Sequence, residues 1–216
     1  MPTAASVVHY SRSVPSLVTR ALPVGTMASL TQPEITANGI TLRPWRASDL
    51  PVVTAAFADP AIQRWHCRSM TDQEATDWIH SWQARWRDET DGAWAVLDAG
   101  TVVGQVGLRR VDLAEGLASV SYWVLANARG RRVAPRALGA LTLWSFETLG
   151  LHRLALSHST ANVASCRVAQ HAGFAAEGTK RGEGRHADGW HDMHLHSRLR
   201  TDALHAHHSN HAKINN

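Results

Sequence analysis

Cysteine is scarce in this chain. Its 216 residues include only Cys67 and Cys166, which form neither a C-x-x-C pair nor a spacing typical of zinc sites. A reducing, cytoplasmic location therefore fits the composition best. The sequence also lacks any run of about 18 apolar residues, so we expect no membrane-spanning helix. The first 27 residues contain no acidic residue and no compact apolar block, and they do not form a secretory signal.

Charge of one sign is only mildly in excess. The formal net charge of +4 would assist an anionic ligand, but it does not by itself indicate a nucleic-acid partner. The length suits one domain with a sizeable core. We predict a disordered leader over residues 1–38, with Met27 as an alternative start, one domain over residues 39–199, and a disordered histidine-rich tail over residues 200–216.

Hydrophobic periodicity predicts an α/β fold. The predicted order is strand, two helices, three strands, helix, strand, helix and two strands. The strands are expected at residues 40–45, 93–97, 102–108, 120–125, 153–157, 174–179 and 191–199. The helices are expected at residues 48–57, from a capping box of Thr71 and Glu74 onward, at residues 135–149 and at residues 162–172.

Tryptophans recur at helical spacing after that capping box. Trp78, Trp82 and Trp86 fall on the same helix face as Ala75 and Ile79. A row of aromatic side chains can form a ligand site, but burial in a core is their usual use. We therefore expect this helix to pack against the body of the domain.

Residues 128–138, ARGRRVAPRAL, carry the chain's most informative pattern. Four arginines and a glycine lie between an apolar strand and an apolar helix. Free backbone amides and the positive end of a helix dipole converge at such a turn, which makes it a cradle for phosphate. Asn162-x-x-Ser165 follows it, and then Gly173-Phe174-x-x-Glu177-Gly178.

Over residues 40–199 these three motifs, in this order, resemble the GCN5-related N-acetyltransferase (GNAT) superfamily, and within it the ribosomal-protein-alanine N-acetyltransferase-like branch. The resemblance implies a mixed central sheet with helices on both faces, and a cleft between splayed strands that binds acyl-CoA. It implies acetyl-CoA as co-substrate. By the same resemblance the backbone of Trp123, Val124 and Leu125 would hold the pantetheine arm. The pyrophosphate would be held by Arg129, Gly130, Arg131, Arg132, Val133 and Ala134.

Arg132 departs from the family signature, which usually has glycine there. If the backbone keeps a negative φ the turn can still work, and the guanidinium adds a charge that can grip phosphate. If a positive φ is needed, the side chain costs about 1 kcal/mol or more.

The resemblance also implies two residues near the thioester. Asn162 would contact the pantetheine arm, although Asn is equally a strong N-cap. Ser165, one turn later, would donate a proton to the leaving thiolate, or it is an ordinary helix serine. We favour Glu183 slightly as the general base. Ser119 stands where related enzymes often have Glu, and Glu177, Glu115, Asp192, His194, His196 or unassisted amine attack remain alternatives.

We therefore predict an acyl-CoA-dependent N-acyltransferase that moves acetyl to a primary amine, on a protein N-terminus or a small molecule, by direct attack in a ternary complex. Loops at residues 58–70 and 183–191, with Trp65, His66 and Trp190, are expected to line the acceptor side. No metal, nucleic-acid or membrane partner is expected, and a homodimer is compatible with the sequence. Two alternatives stay open: a non-catalytic acyl-CoA-binding module, and a metal-binding protein that uses the histidine-rich end.

Overall fold

The structure, a computed structural model, describes residues 17–202. This part of the chain contains eight strands and five α-helices. The strands are β1 (Ile35–Ala37), β2 (Ile40–Pro44), β3 (Gly92–Asp98), β4 (Thr101–Asp112), β5 (Leu117–Val124), β6 (Arg153–Ser159), β7 (Ala175–His186) and β8 (Gly189–Leu199). The helices are α1 (Leu50–Ala58), α2 (Pro60–His66), α3 (Asp72–Arg87), α4 (Val133–Trp144) and α5 (Val163–His171).

All eight strands form one sheet in the order β1-β2-β3-β4-β5-β6-β8-β7. Every neighbouring pair is antiparallel except β5 and β6. These two parallel strands pair only from Leu117 opposite Arg153 to Ser119 opposite Ala155. Beyond that point they diverge, so the second half of β5 has β4 alone as a partner. The divergence opens a cleft in the middle of the sheet.

Each face of the sheet has its own core, as the predicted architecture requires. One core joins α4 and α5 to inward residues such as Trp94 and Leu156. The other joins α1, α2 and α3 to the opposite face, including Trp123. The predicted apolar face of α3 is buried in these cores, and the Thr71–Glu74 capping box is present. A mixed sheet with helices on both faces is therefore confirmed.

The prediction of a disordered leader through residue 38 is wrong for residues 17–38. Met27 is fully buried. Its amide donates to Glu89 Oε1 at 2.7 Å, and Gly25 donates to Oε2 at 2.8 Å. The carbonyl of Leu30 accepts from Trp86 Nε1 at 2.7 Å. Sequence patterns missed this segment because its contacts are made with residues some 60 positions away. The rest of the leader, and residues 203–216 of the histidine-rich tail, lie outside the described residues.

Several predicted boundaries also change. The expected loop at residues 58–70 contains helix α2, whose start is capped by Asp59. The segment 183–191 belongs mostly to the β7–β8 hairpin rather than to a loop. Helix α4 begins two residues before Pro135, and its last turn, Ser145–Leu149, is a π-helix that ends at Gly150 with φ 88°.

Candidate active site

The divergence of β5 and β6 leaves a cleft of about 610 Å³. Its walls come from α2, the end of β5, the turn before α4, the first turn of α4, and α5 along its length. The residues that line it include Trp123, Val124, Arg129, Gly130, Arg132, Val133, Ala134 and Asn162, all of which the sequence assigned to the cofactor. Leu125 and Arg131 do not line it. Leu125 donates its amide to Val103 instead, at 2.9 Å.

The turn before α4 presents unused amides to this cleft. Within residues 17–202, the main-chain N–H groups of residues 130–134 donate no hydrogen bond. Gly130 has φ 78°, and Arg132, the N-cap of α4, has φ 58° and ψ 24° with no capping bond from its side chain. The positive end of the α4 dipole adds to the same point. The main chain is thus arranged to hold an anion such as a diphosphate.

Most of the arginines around this turn are already paired. Arg129 Nη2 lies 2.5 Å from Asp59 Oδ2, and Arg131 and Arg136 share the carboxylate of Asp98 at 2.5 and 2.9 Å. By contrast, the side chain of Arg132 has no hydrogen-bond or ion-pair partner in the part of the chain that the structure describes. Its exposed guanidinium is therefore the charge of this turn that is free for a ligand.

Trp123 contributes to the cleft through its backbone. Its side chain points into the opposite core, where Nε1 donates to Gln105 Oε1 at 3.0 Å and the ring lies 5.9 Å from Trp45. Val124 lies on the other face of β5, toward α4. The strand edge between them is left without a β6 partner, which fits an extended ligand arm laid along the strand.

Two hydroxyls meet at the inner end of the cleft. Asn162 caps α5, because its Oδ1 accepts from Ser165 N at 3.1 Å, so the N-cap assignment is confirmed. That cap orients the first turn of α5 and places Ser165 Oγ 2.6 Å from Tyr122 Oη. Burial raises the pKa of Tyr122 to about 12, and the bond to Ser165 opposes the shift only in part. The phenol therefore stays protonated and lies within hydrogen-bond distance of Ser165 Oγ.

A second cavity, of about 150 Å³, continues past this hydroxyl pair. It shares Trp65, His66, Tyr122 and Asn162 with the main cleft. His66 Nε2 lies 3.1 Å from the carbonyl of Tyr122, and since a carbonyl only accepts, Nε2 carries the proton. Burial lowers the pKa of His66, so its ring is neutral at pH 7.

The predicted base, Glu183, is not brought to this site. Its carboxylate is exposed and receives a bond from Lys180 Nζ at 2.6 Å. Neither cavity is lined by an aspartate or glutamate of the described residues. Ser119, at the family's usual base position, accepts from Arg110 Nη2 at 3.2 Å. Glu177 is structural, because Arg153 and Ser197 hold it.

The sequence model of the protein family described as "Acetyltransferase (GNAT) domain" matches residues 40–175. That match covers more than half of the chain and includes the cleft, the turn and the start of α5. The chain belongs to the GNAT acetyltransferase family.

Proteins similar in sequence or in fold to this chain are consistent with membership of this family. YdaF of Bacillus subtilis (strain 168), a protein named for ribosomal N-acetyltransferase activity, is 27% identical over 125 residues, which are 57% of this chain and 68% of YdaF. Mycobacterium smegmatis RimJ, solved with CoA-disulfide, superposes with a TM-score of 0.69 at 22% identity, over 80% of this chain and 93% of RimJ. The ribosomal L7/L12 alpha-N-protein acetyltransferase RimL, solved with coenzyme A, gives a TM-score of 0.72 at 16% identity, over 77% of this chain and 98% of RimL.

Some site residues of this GNAT domain could not be found from its sequence. Tyr122 was visible only as one position of an alternating strand, and its contact with Ser165 spans 43 residues. Arg167 and His171 of α5 also line the cleft, and the Arg167 guanidinium adds positive charge there. Trp190 is 68% exposed and lines neither cavity, so its expected place on the acceptor side is wrong.

No helix within residues 17–202 is both long and apolar enough to cross a bilayer.

Proposed function

We propose that this GNAT domain transfers acetyl from acetyl-CoA to a primary amine, by direct attack in a ternary complex. The observation that carries the proposal is the alignment of three features along one cleft: the free amides of residues 130–134, the unpartnered edge of β5, and the Ser165–Tyr122 pair at the inner end. A non-catalytic module would need the first two features only.

The cofactor would lie with its diphosphate at the turn and its thioester near Ser165. Arg132, Arg167 and the α4 dipole would neutralise the phosphates. The pantetheine arm would run along Trp123 and Val124, as an added strand that replaces the missing β6 partner.

In the reaction, the neutral amine nitrogen attacks the thioester carbonyl carbon, and the carbon–sulfur bond breaks. Ser165 Oγ donates a proton to the departing thiolate and regains one from Tyr122 Oη, which lies 2.6 Å away, and a proton from solvent water then restores the Tyr122 phenol. The amine's own proton leaves to His66 or to water. His66 is suited to accept it because its ring is neutral and its Nδ1 keeps a lone pair.

The acceptor we favour is a protein N-terminus. Support comes from RimL, whose name states an alpha-N-protein substrate, and from the name of YdaF. A small-molecule amine is the alternative acceptor. Cytoplasmic location and self-association stay predictions from the sequence.

The test is release of free thiol from acetyl-CoA, measured with a panel of N-terminal peptides and small amines. We expect turnover with at least one acceptor. Ser165→Ala should lower kcat by about 10²-fold or more while the dissociation constant of CoA stays within about twofold. Ser81→Ala, a serine on α3 whose hydroxyl bonds only to Trp78, is the matched control and should leave both quantities unchanged. Tight CoA binding without thiol release for any acceptor would favour the non-catalytic module.

A further inference from the structure

Four side chains that can ligate a metal come together beneath helix α5, outside the acyl-CoA cleft proper. They are His158 on β6, His194 and His196 on β8, and Cys166 on α5, and one ligand atom from each lies within 4.8 Å of all the others. The proposed transferase chemistry makes no use of this cluster. The sequence predicted no metal site, because neither the two cysteines nor the histidines after residue 180 match a familiar zinc spacing.

The sheet register explains how these residues meet. His158 pairs directly with His194, and His196 is two residues further along the same face of β8. Side chains at opposed and diagonal positions of neighbouring strands lie within contact distance. Accordingly the His158 and His194 rings are 5.6 Å apart, and the His194 and His196 rings 4.4 Å. Cys166 comes down from α5, with Sγ 3.9 Å from His194 Nδ1.

Burial gives the cluster its significance. His196 is 0% exposed and His158 is 6% exposed. Both ring nitrogens of His196, and Nε2 of His158, are buried without a hydrogen-bond partner among the described residues. Buried polar atoms are rarely left unpaired, since each forfeits its bonds to water. His194 and His196 alternate along β8 with Met193 and Leu195, so the histidines lie on one face of the strand and these apolar side chains on the other.

The tautomer of His158 is already set for ligation. His158 Nδ1 lies 2.8 Å from the carbonyl of Ser159, so Nδ1 carries the hydrogen and Nε2 offers its lone pair to the cluster. A backbone carbonyl that fixes the second nitrogen is the usual support of a metal-binding histidine.

We propose that His158, Cys166, His194 and His196 form a structural zinc site that ties the first turns of α5 to β6 and β8. Three imidazoles and one thiolate are a tetrahedral donor set that suits Zn²⁺. In such a site the donor atoms lie about 3.3–3.8 Å apart, given metal bonds of about 2.0–2.3 Å. The present spread of 4.8 Å closes with small side-chain rotations. Four protein ligands leave no open position, so the metal holds the helix that carries Ser165 and takes no part in acetyl transfer.

Cobalt provides the test, because a thiolate bound to Co²⁺ gives a near-ultraviolet charge-transfer band and tetrahedral Co²⁺ gives intense visible bands. The full-length protein, stripped by a chelator under reducing conditions, is titrated with Co²⁺ and then with Zn²⁺. The histidine-rich tail contains no cysteine and cannot produce the thiolate band. We expect saturation at one equivalent, and bleaching by one equivalent of Zn²⁺, which binds such sites more tightly.

Matched variants locate the site. Cys166→Ser should abolish the thiolate band, whereas Cys67→Ser, at the exposed second cysteine, should keep it. His194→Gln should weaken Co²⁺ binding by at least about tenfold, whereas His171→Gln, an exposed histidine on α5 outside the cluster, should not.

Zinc at about a hundredfold above its Kd should raise the Tm of the unmodified protein by roughly 5–10 °C. Circular dichroism checks that each variant is folded. Absence of the thiolate band, its survival in Cys166→Ser, or its loss in Cys67→Ser would overturn the proposal.

Discussion

Arg132→Gly separates two opposed effects of one residue. Arg132 has φ 58° and ψ 24°, and a non-glycine residue in the left-handed region costs about 1–2 kcal/mol. Glycine removes that strain. However, glycine gives the unfolded chain more conformational freedom, which lowers the free energy of unfolding by about 0.5–1 kcal/mol. The side chain is exposed and unpaired in the part of the fold that the structure describes, so its loss breaks no contact. We expect the variant to be more stable by up to about 1 kcal/mol, or roughly 2–4 °C in Tm.

The affinity for CoA should change in the opposite direction and fall in this variant. A charge-assisted bond from a guanidinium to phosphate contributes about 1.5–3 kcal/mol, and exposure of Arg132 to solvent places its effect at the lower end. The affinity for CoA should therefore fall about tenfold in Arg132→Gly. The loss should shrink as ionic strength rises, because salt screens an exposed pair.

Denaturant unfolding and calorimetry with CoA measure these two effects. Arg132→Ala is the matched control, because it removes the same charge but keeps a Cβ in the left-handed region. It should match Arg132→Gly in CoA affinity and be less stable than it. Equal stability of the Gly and Ala variants would refute the strain argument, and unchanged CoA affinity in both would refute the phosphate contact.

Three further predictions concern other parts of the fold. Glu89→Ala should destabilise the protein by about 2 kcal/mol in denaturant unfolding, because the amides of Gly25, Met27 and Ala28 lose their acceptor, while Glu115→Ala should have little effect. Arg153 and Ser197 lower the pKa of Glu177 to about 2, so its contribution to stability is present above pH 4.5 and is lost as pH falls toward 2. Glu177→Gln should therefore cost roughly 1 kcal/mol at pH 7, given partial solvent screening, and the difference should shrink in unfolding measured at pH 3. His66→Gln should lower kcat by about 10²-fold and remove an acid limb of the kcat profile below pH 6.5, and a change of less than about twofold would favour unassisted attack.

Local features were predictable from the sequence to the extent that they depend on neighbours along the chain. The capping box at Thr71, the N-cap at Asn162 and the apolar face of α3 each follow from residues within a few positions of one another. The turn before α4 with its free amides was equally readable, because a helix N-terminus needs no distant partner to expose its amides. The order of strands and helices followed from periodicity, apart from the short α2 and β1.

What depends on the sheet register was not predictable. Tyr122 meets Ser165, and His158 meets His194, only because the strand order brings distant segments side by side. Pairing of Arg131 with Asp98, 33 residues away, removed it from the cleft for the same reason. The burial of Met27 likewise required α3 and β3 to be in place.

Calorimetric titration with acetyl-CoA tests most directly whether the turn before α4 docks a diphosphate. The account predicts saturable binding at one site per chain, weakened about tenfold by Arg132→Ala and unchanged by Arg181→Ala, an exposed arginine on β7. No measurable heat with CoA or acetyl-CoA, or equal weakening by both substitutions, would contradict it.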